Sequence, residues 1–177
     1  MKREHFDHVL RAAAAIVEDE LVIIGSQAIL AQYPSPPEEM VVSEELDIYP
    51  RSDPSRSIEI DAALGQGSLF EETFGYRAHG VGPETAVLPV GWEERLVRVE
   101  VETTRGVPAV GWALEAHDLV LSKLAAGREE DYTFSVAAIR SGIVDQDELR
   151  RRTVLLIHDQ HEPVLKRIAG CVVRAGS

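Results

Sequence analysis

The stretch Leu21-Val-Ile-Ile-Gly25-Ser26, four apolar residues followed by a Gly-Ser pair, decides the fold of this chain. A short apolar run rich in β-branched residues is typical of a buried strand. The Gly-Ser pair predicts a turn into a helix over residues 27–32, with the Ser26 side chain as its cap. Backbone N–H groups at the start of such a helix favour phosphate.

A second apolar run, over residues 41–49, contains two carboxylates, Glu45 and Asp47. Residues i and i+2 of a strand face the same side of a sheet, so we expect both carboxylates to project together. Mg²⁺ prefers such oxygen ligands, completed by substrate phosphates and water. A solvated acidic strand face has the same spacing, but the Gly-Ser turn upstream favours a metal site.

Composition indicates one folded domain in a reducing compartment. The chain has 177 residues, of which 45% are hydrophobic, enough for one packed core. It contains no apolar run long enough to span a membrane, and its charged N-terminus lacks a signal core. A single cysteine, Cys171, excludes an internal disulfide. We therefore expect a cytoplasmic protein with no membrane partner.

The charge is strongly acidic but unevenly spread. The net charge of −12 argues against broad electrostatic binding of nucleic acid. Residues 145–177 nevertheless hold 6 basic and 5 acidic residues, for a charge of +1. They include the run Arg150-Arg151-Arg152, for which a solvated helix face is favoured over contact with a phosphate backbone.

Periodicity predicts the order of the helices and strands. Apolar spacing predicts strands over residues 21–24, 41–49, 86–90, 96–103 and 110–114, and an ordered loop or short helix within 68–85. It predicts helices over residues 3–18, 27–32, 55–64, 117–126, 129–141, 145–157 and 162–174. We therefore expect an α+β fold: a small mixed β-sheet with flanking helices and a helical C-terminal part. We divide the chain into a core, 1–114, and a helical part, 115–177, packed on it as one compact unit.

The helix predicted over residues 117–126 contains Lys123 among apolar neighbours. Such a lysine is less solvated than usual and suits a triphosphate as a compact positive charge. A surface lysine whose stem lies along apolar residues is the alternative. Arg128 and Asp131, three residues apart on the next helix, are spaced to pair with each other.

Three motifs, in order along the chain, resemble those of the DNA-polymerase-β-type nucleotidyltransferase superfamily. They are Gly25-Ser26, then Ser43-x-Glu45-Leu-Asp47-Ile, then Asp118-Leu-Val-Leu-Ser-Lys123-Leu-Ala-Ala-Gly-Arg128-Glu-Glu-Asp131. The resemblance covers roughly residues 5–155. More narrowly, the chain is similar to a bacterial group of unassigned function related to the toxin nucleotidyltransferases of abortive-infection systems.

The resemblance implies a role for each motif. The implied catalytic and metal-binding residues are Glu45 and Asp47, with Mg²⁺ or Mn²⁺ as cofactor. The implied substrate-binding residues, which hold an NTP, are Gly25, Ser26, Lys123, Arg128 and Asp131. A third catalytic carboxylate comes from a later strand, where Glu100 and Glu102 share a face. We choose Glu100, with a solvated strand face as the alternative.

The implied activity is transfer of a nucleoside monophosphate from an NTP to an RNA 3′ end or a protein hydroxyl, in a toxin-like role. One alternative is a catalytically inactive protein of the same fold that binds a cognate antitoxin or another operon partner. The net charge favours this alternative, as does Glu45, which stands where the superfamily usually has aspartate. A plain scaffold for divalent metal is a third hypothesis.

Histidines and aromatics outside these motifs suggest packing rather than chemistry. His5 with His8, and His158 with His161, have no cysteine or carboxylate set nearby, so surface histidines are favoured over a metal site. The segment over residues 74–79 places aromatics beside an arginine and a histidine. That combination can stack a base, but loop packing is favoured.

Overall fold

The protein folds around one five-stranded mixed sheet, which confirms the α+β class. The computed structural model describes residues 1–104 and 106–176. Within them the strands are β1 (Leu21–Ile24), β2 (Glu45–Pro50), β3 (Arg77–Gly80), β4 (Val97–Val101) and β5 (Ala109–Ala113). The α-helices there are α1 (Arg3–Val17), α2 (Ser57–Leu64), α3 (Leu69–Phe74), α4 (Ala116–Ala126), α5 (Glu129–Arg140), α6 (Gln146–Thr153) and α7 (His158–Ala175).

The sheet order is β3-β2-β1-β5-β4, with the buried strand β1 at its centre. β1 is antiparallel to β2 and parallel to β5, and its last residue, Ile24, lies opposite Asp47. β2 and β3 are parallel, and Asp47 lies opposite His79 in their register. The sheet therefore brings the end of β1, the middle of β2 and the edge strand β3 together around Asp47.

Helices pack against the sheet and share one continuous hydrophobic core with it. α1 buries an apolar stripe at helical spacing against α2 and β5, namely Phe6, Val9, Leu10, Ala13 and Val17. A 3₁₀ turn over Ser26–Ala31 contacts β1, β2 and β5 as well as α4. Buried side chains from the sheet and from α1, α2, α4, α5, α6 and α7 form one hydrophobic cluster, and Phe70 of α3 packs against it. The division at residue 114 stays a prediction.

The strand predicted over residues 86–90 is wrong. This segment is irregular and lies between two 3₁₀ turns, Pro83–Thr85 and Trp92–Arg95. Pro89 cannot donate to a ladder, and Val90 donates its N–H to Leu155 instead. The strand that was not predicted is β3, which lies within residues 68–85, where a loop or short helix was expected. A short helix, α3, is also present in this region.

Three predicted helices also need correction. Residues 26–31 form a 3₁₀ turn rather than an α-helix, and Gly25, not Ser26, is its N-cap, without a capping bond from any side chain. α6 ends at Thr153, and α7 begins at His158, earlier than predicted. Among the described residues, no helix combines the length and hydropathy needed to cross a membrane.

Candidate active site

The backbone of Gly25 lies directly against the carboxylate of Asp47. Gly25 has φ of +70°, and a β-carbon at this position would lie 1.9 Å from Asp47 Oδ2. Residues with side chains rarely adopt this backbone conformation, and nothing larger than hydrogen fits against the carboxylate. Glycine is therefore required here both by the turn and by the close approach of Asp47.

Glu45, Asp47 and His79 form a compact cluster on β2 and β3. One ligand atom from each lies within 4.8 Å of the other two. The two carboxylates project together, as the sequence predicted, and His79 Nδ1 lies 2.8 Å from Asp47 Oδ1. The exposed fraction of the side chains is 32% for Glu45, 24% for Asp47 and 50% for His79, so the cluster opens to solvent.

The pKa of Asp47 is raised above its ordinary value. Burial is the largest cause, and the negative charge of Glu45 adds to it. The hydrogen bond with His79 opposes the rise, as do the charges of His79 and Lys123. The ionised form of Asp47 is thus costly without a further positive charge, which a bound cation would supply.

Arg77 pairs with two carboxylates beside this cluster. Its Nη2 lies 2.5 Å from Glu45 Oε2, and its Nη1 lies 2.7 Å from Glu71 Oε1. Arg77 also stands opposite Glu45 in the register of β2 and β3. One Glu45 oxygen is therefore engaged by a guanidinium, while the other has no such partner among the described residues.

The donor set fits a divalent cation. Carboxylate oxygens suit Mg²⁺ and Mn²⁺, whereas an imidazole nitrogen suits first-row transition ions better than Mg²⁺. Glu45 and Asp47 supply the oxygens, and His79 supplies the nitrogen. The identity of the metal stays a prediction, and the set of three favours an ion that accepts mixed ligands.

Lys123 of α4 and Asp131 of α5 form a buried ion pair. Lys123 is only 7% exposed, and its Nζ lies 2.9 Å from Asp131 Oδ1 and 4.9 Å from the ring of Phe134. Asp131 is fully buried and also accepts hydrogen bonds from the backbone N and the Nε of Arg128. The predicted pairing of Arg128 with Asp131 is confirmed, and Lys123 is not a surface lysine.

These groups lie near Asp47. The charge of Lys123 is one of the influences that lower the pKa of Asp47 against the effect of burial. The pKa of Arg128 is raised chiefly by its hydrogen bond to Asp131, and the charge of Asp47 contributes to this rise. Arg128 keeps a side chain that is 64% exposed, so its guanidinium faces solvent beside the cluster.

The motifs at residues 25–26, 45–47 and 123–131 thus converge, although they are far apart in the chain. The model of a family described as nucleotidyltransferases of unknown function (DUF6036) matches residues 5–163. The chain belongs to this nucleotidyltransferase family. No curated protein matches the chain, and no solved structure does either.

The predicted third carboxylate is not brought to the cluster. Glu100 lies on β4, three strand spacings or about 14 Å from β2, and pairs with Arg98. Glu102 lies just beyond the end of β4. Because neither carboxylate reaches Asp47, the prediction of Glu100 is corrected: the third group beside the pair is His79, from a strand that local periodicity did not indicate.

Asp131 also needs correction as a residue that binds substrate directly. Its carboxylate is fully buried and saturated by Lys123 and Arg128, so a nucleotide in solvent cannot reach it. The same geometry leaves Asp131 well placed to orient Arg128. Ser26, by contrast, is partly exposed at the turn after Gly25.

Asp118, which belongs to the same motif, has a structural role. It is fully buried and accepts hydrogen bonds from Arg95 at 2.7 Å and Arg152 at 2.9 Å. Arg152 also pairs with Glu115 and Glu148. The run at residues 150–152 is therefore only partly the solvated face that was predicted, because its last arginine joins α6 to the start of α4.

Of the histidines expected at the surface, His158 is exposed, whereas His5, His8 and His161 are partly buried. The ring of His5 stacks on Tyr76 at 4.2 Å between centroids, and His8 Nδ1 lies 2.8 Å from the Tyr76 hydroxyl. His158 has a side chain that is 94% exposed, while His161 bonds to the carbonyl of Leu156. Tyr76 is buried, which agrees with packing of this segment rather than base stacking.

Proposed function

We propose that this protein is a metal-dependent nucleotidyltransferase that moves a nucleoside monophosphate from an NTP to a hydroxyl acceptor, an RNA 3′ end or a protein side chain. The carrying observation is the contact between Gly25 and Asp47, with Glu45 and His79 beside it. The resemblance to the DNA-polymerase-β-type superfamily, and to its abortive-infection toxins, supports this proposal and a toxin-like role.

Glu45 and Asp47 are the proposed ligands of Mg²⁺ or Mn²⁺, with His79 as a third, nitrogen ligand that also contacts Asp47 through its Nδ1. When bound, the divalent ion supplies positive charge for the attacking hydroxyl and for the leaving pyrophosphate. Arg77 already neutralises part of the charge of Glu45. The carboxylates can therefore lie together before substrate arrives.

Phosphate recognition is assigned to the turn at Gly25 and to the side chain of Arg128. Gly25 and Ser26 are the proposed positions whose backbone N–H groups hold a phosphate, at the turn that follows β1. Arg128 offers a mostly exposed guanidinium, oriented by Asp131, which Lys123 holds in turn. Lys123 acts on the phosphate through its positive charge rather than by direct contact, because its Nζ is engaged by Asp131. A planar guanidinium held in this way suits phosphate oxygens.

Calorimetric titration of the four NTPs, with and without Mg²⁺ or Mn²⁺, tests the binding step. The wild type should bind an NTP only with metal. Asp47→Asn, which keeps the size of the side chain but removes its charge, should lose that binding. Glu100→Gln, which removes an exposed carboxylate of β4, is the matched control and should bind like the wild type. Failure of the wild type to bind any NTP would contradict the proposal.

A second candidate function is a catalytically inactive nucleotidyltransferase fold that binds a cognate antitoxin or another operon partner. It is favoured by the partners that both carboxylates already have: Glu45 pairs with Arg77, and Asp47 pairs with His79. This function predicts retained nucleotide affinity without transfer, together with tight binding of the product of a neighbouring gene.

A further inference from the structure

Five cations stand apart from the ion pairs of this acidic protein. The chain has 30 acidic and 18 basic residues, so a cation without a carboxylate neighbour is unusual. Within residues 1–104 and 106–176, no carboxylate oxygen lies within 4.0 Å of the charged nitrogens of five basic side chains. They are Lys2, Arg11, Lys166, Arg167 and Arg174, and three of the five belong to α7.

The three cations of α7 line one groove between α5 and α7. Its volume is about 710 Å³, and Tyr132 of α5 forms part of the opposite wall. Glu162 is the single carboxylate along the groove. Lys166, Gly170 and Arg174 recur every four residues and so share one face of α7, about 12 Å from first to last. Gly170 leaves open space between the two cations.

One wall of this groove contacts the turn between α4 and α5 that precedes Arg128. The guanidinium of Arg167 packs against Gly127, where a β-carbon would lie 2.5 Å from Arg167 Cζ. Arg167 Nη1 also donates to the carbonyls of Leu124 and Ala125 at the end of α4. Gly127 directly precedes Arg128, the exposed cation assigned to phosphate. The groove therefore adjoins the end of α4, one residue before Arg128.

The groove combines cations with an aromatic side chain. The guanidinium of Arg174 lies 5.7 Å from the centroid of the Tyr132 ring. Proteins that bind single strands pair a positive groove, which follows the phosphates, with aromatic rings that stack on bases. The acidic remainder of the surface repels a long polyanion, so only an end of a strand is favoured here.

We propose that this groove holds the 3′-terminal nucleotides of a single-stranded RNA acceptor, with Lys166 and Arg174 on its phosphates and Tyr132 against a base. The inference rests on the proposed function, because it assigns the acceptor of that same site. It chooses RNA over a protein hydroxyl, since a positive groove with an aromatic wall fits a phosphodiester chain.

Fluorescence anisotropy with a 5′-labelled, 12-nucleotide single-stranded RNA tests the groove. The double variant Lys166→Ala/Arg174→Ala should weaken binding by about tenfold. It should also flatten the slope of log K against log salt by about 1.4, or about 0.7 for each phosphate that the variant no longer neutralises. The matched control Arg150→Ala/Arg151→Ala removes two exposed cations of α6 and should bind RNA as the wild type does.

Calorimetry with NTP separates this inference from the proposed function. The groove variant should bind NTP and metal like the wild type, whereas Asp47→Asn should bind RNA but not NTP. Equal RNA affinity of the groove and control variants would overturn the inference and leave the proposed function standing. A wild type that binds NTP but not RNA, and that transfers the nucleotide only to protein, would also overturn the inference. So would inorganic polyphosphate that displaces the labelled RNA as well as unlabelled RNA of the same charge does.

Discussion

The carboxylate of Asp47 occupies the space that a β-carbon at residue 25 would need. The separation would be 1.9 Å from Asp47 Oδ2, far below any contact between unbonded atoms. The turn after β1 and the acidic position of β2 are therefore matched to each other. This relationship lets the Asp47 carboxylate approach the backbone at residue 25 more closely than any side chain there would allow.

Gly25→Ala is expected to abolish metal-dependent NTP binding and to lower the free energy of unfolding by about 1–3 kcal/mol. The added methyl group displaces Asp47 and also strains a backbone with φ of +70°. Calorimetry and denaturant unfolding measure the two effects.

The control for this change is Gly142→Ala. Gly142 has φ of +71° and open space around its missing β-carbon, so only backbone strain is added. This variant should lose about 1 kcal/mol of stability and keep full NTP binding. Equal loss of NTP binding in both variants would show that the contact with Asp47 is irrelevant.

His79→Asp is expected to shift metal preference toward Mg²⁺. The change replaces the imidazole beside Asp47 with a third carboxylate, and hard oxygen ligands suit Mg²⁺ better than nitrogen does. The ratio of Mn²⁺ to Mg²⁺ affinity, measured by competition titration, should fall by about tenfold. An unchanged ratio would remove His79 from the metal site, and His79→Ala separates loss of the imidazole from gain of the carboxylate.

Lys123→Met is expected to lower the free energy of unfolding by about 3–5 kcal/mol. The change removes one partner of a buried ion pair and leaves the charge of Asp131 inside the protein, partly compensated by Arg128. Denaturant unfolding measures the loss. Lys166→Met, at an exposed lysine of α7, should stay within about 0.5 kcal/mol of the wild type.

Acid should destabilise the fold through Glu115. Burial alone would raise the pKa of Glu115, but hydrogen bonds from His117 and Arg152 outweigh it and lower the pKa to about 2. The ordinary value is 4.5, so the folded state binds this proton less readily than the unfolded state. The stabilisation is complete above pH 4.5 and is lost as the pH falls toward 2, by about 3 kcal/mol in total.

Urea unfolding from pH 6 to pH 2.5 measures this dependence. Glu115→Gln should flatten it, because the acid-sensitive carboxylate is gone. Glu100→Gln, at an exposed carboxylate, should keep the steep dependence of the wild type. A Glu115→Gln variant with an unchanged slope would place the acid sensitivity elsewhere in the chain.

The sequence predicted those features that depend on local spacing. The projection of Glu45 with Asp47 follows from a period of two residues, and the pairing of Arg128 with Asp131 from a period of three to four. β1 follows from its short apolar run of β-branched residues. Burial of Lys123 agrees with its apolar neighbours. The α+β class follows from the order of strands and helices.

The features that were missed depend on contacts between distant parts of the chain. β3 has only four residues, with polar Arg77 and His79, and becomes a strand by pairing with β2. Glu100 lies in a strand that was predicted, but no local pattern indicates that this strand, β4, is at the edge of the sheet opposite β3. The identity of the third group near Asp47 therefore required the sheet order.

A transfer assay tests the central claim most directly. Each NTP, labelled at its α-phosphate, is incubated with metal, cellular RNA and soluble protein, and label in each fraction is measured with the pyrophosphate released. The wild type should transfer label to one macromolecular fraction and release pyrophosphate in equal amount, whereas Asp47→Asn should transfer none. A wild type that binds NTP with metal but leaves every fraction unlabelled would contradict the assignment as a nucleotidyltransferase enzyme.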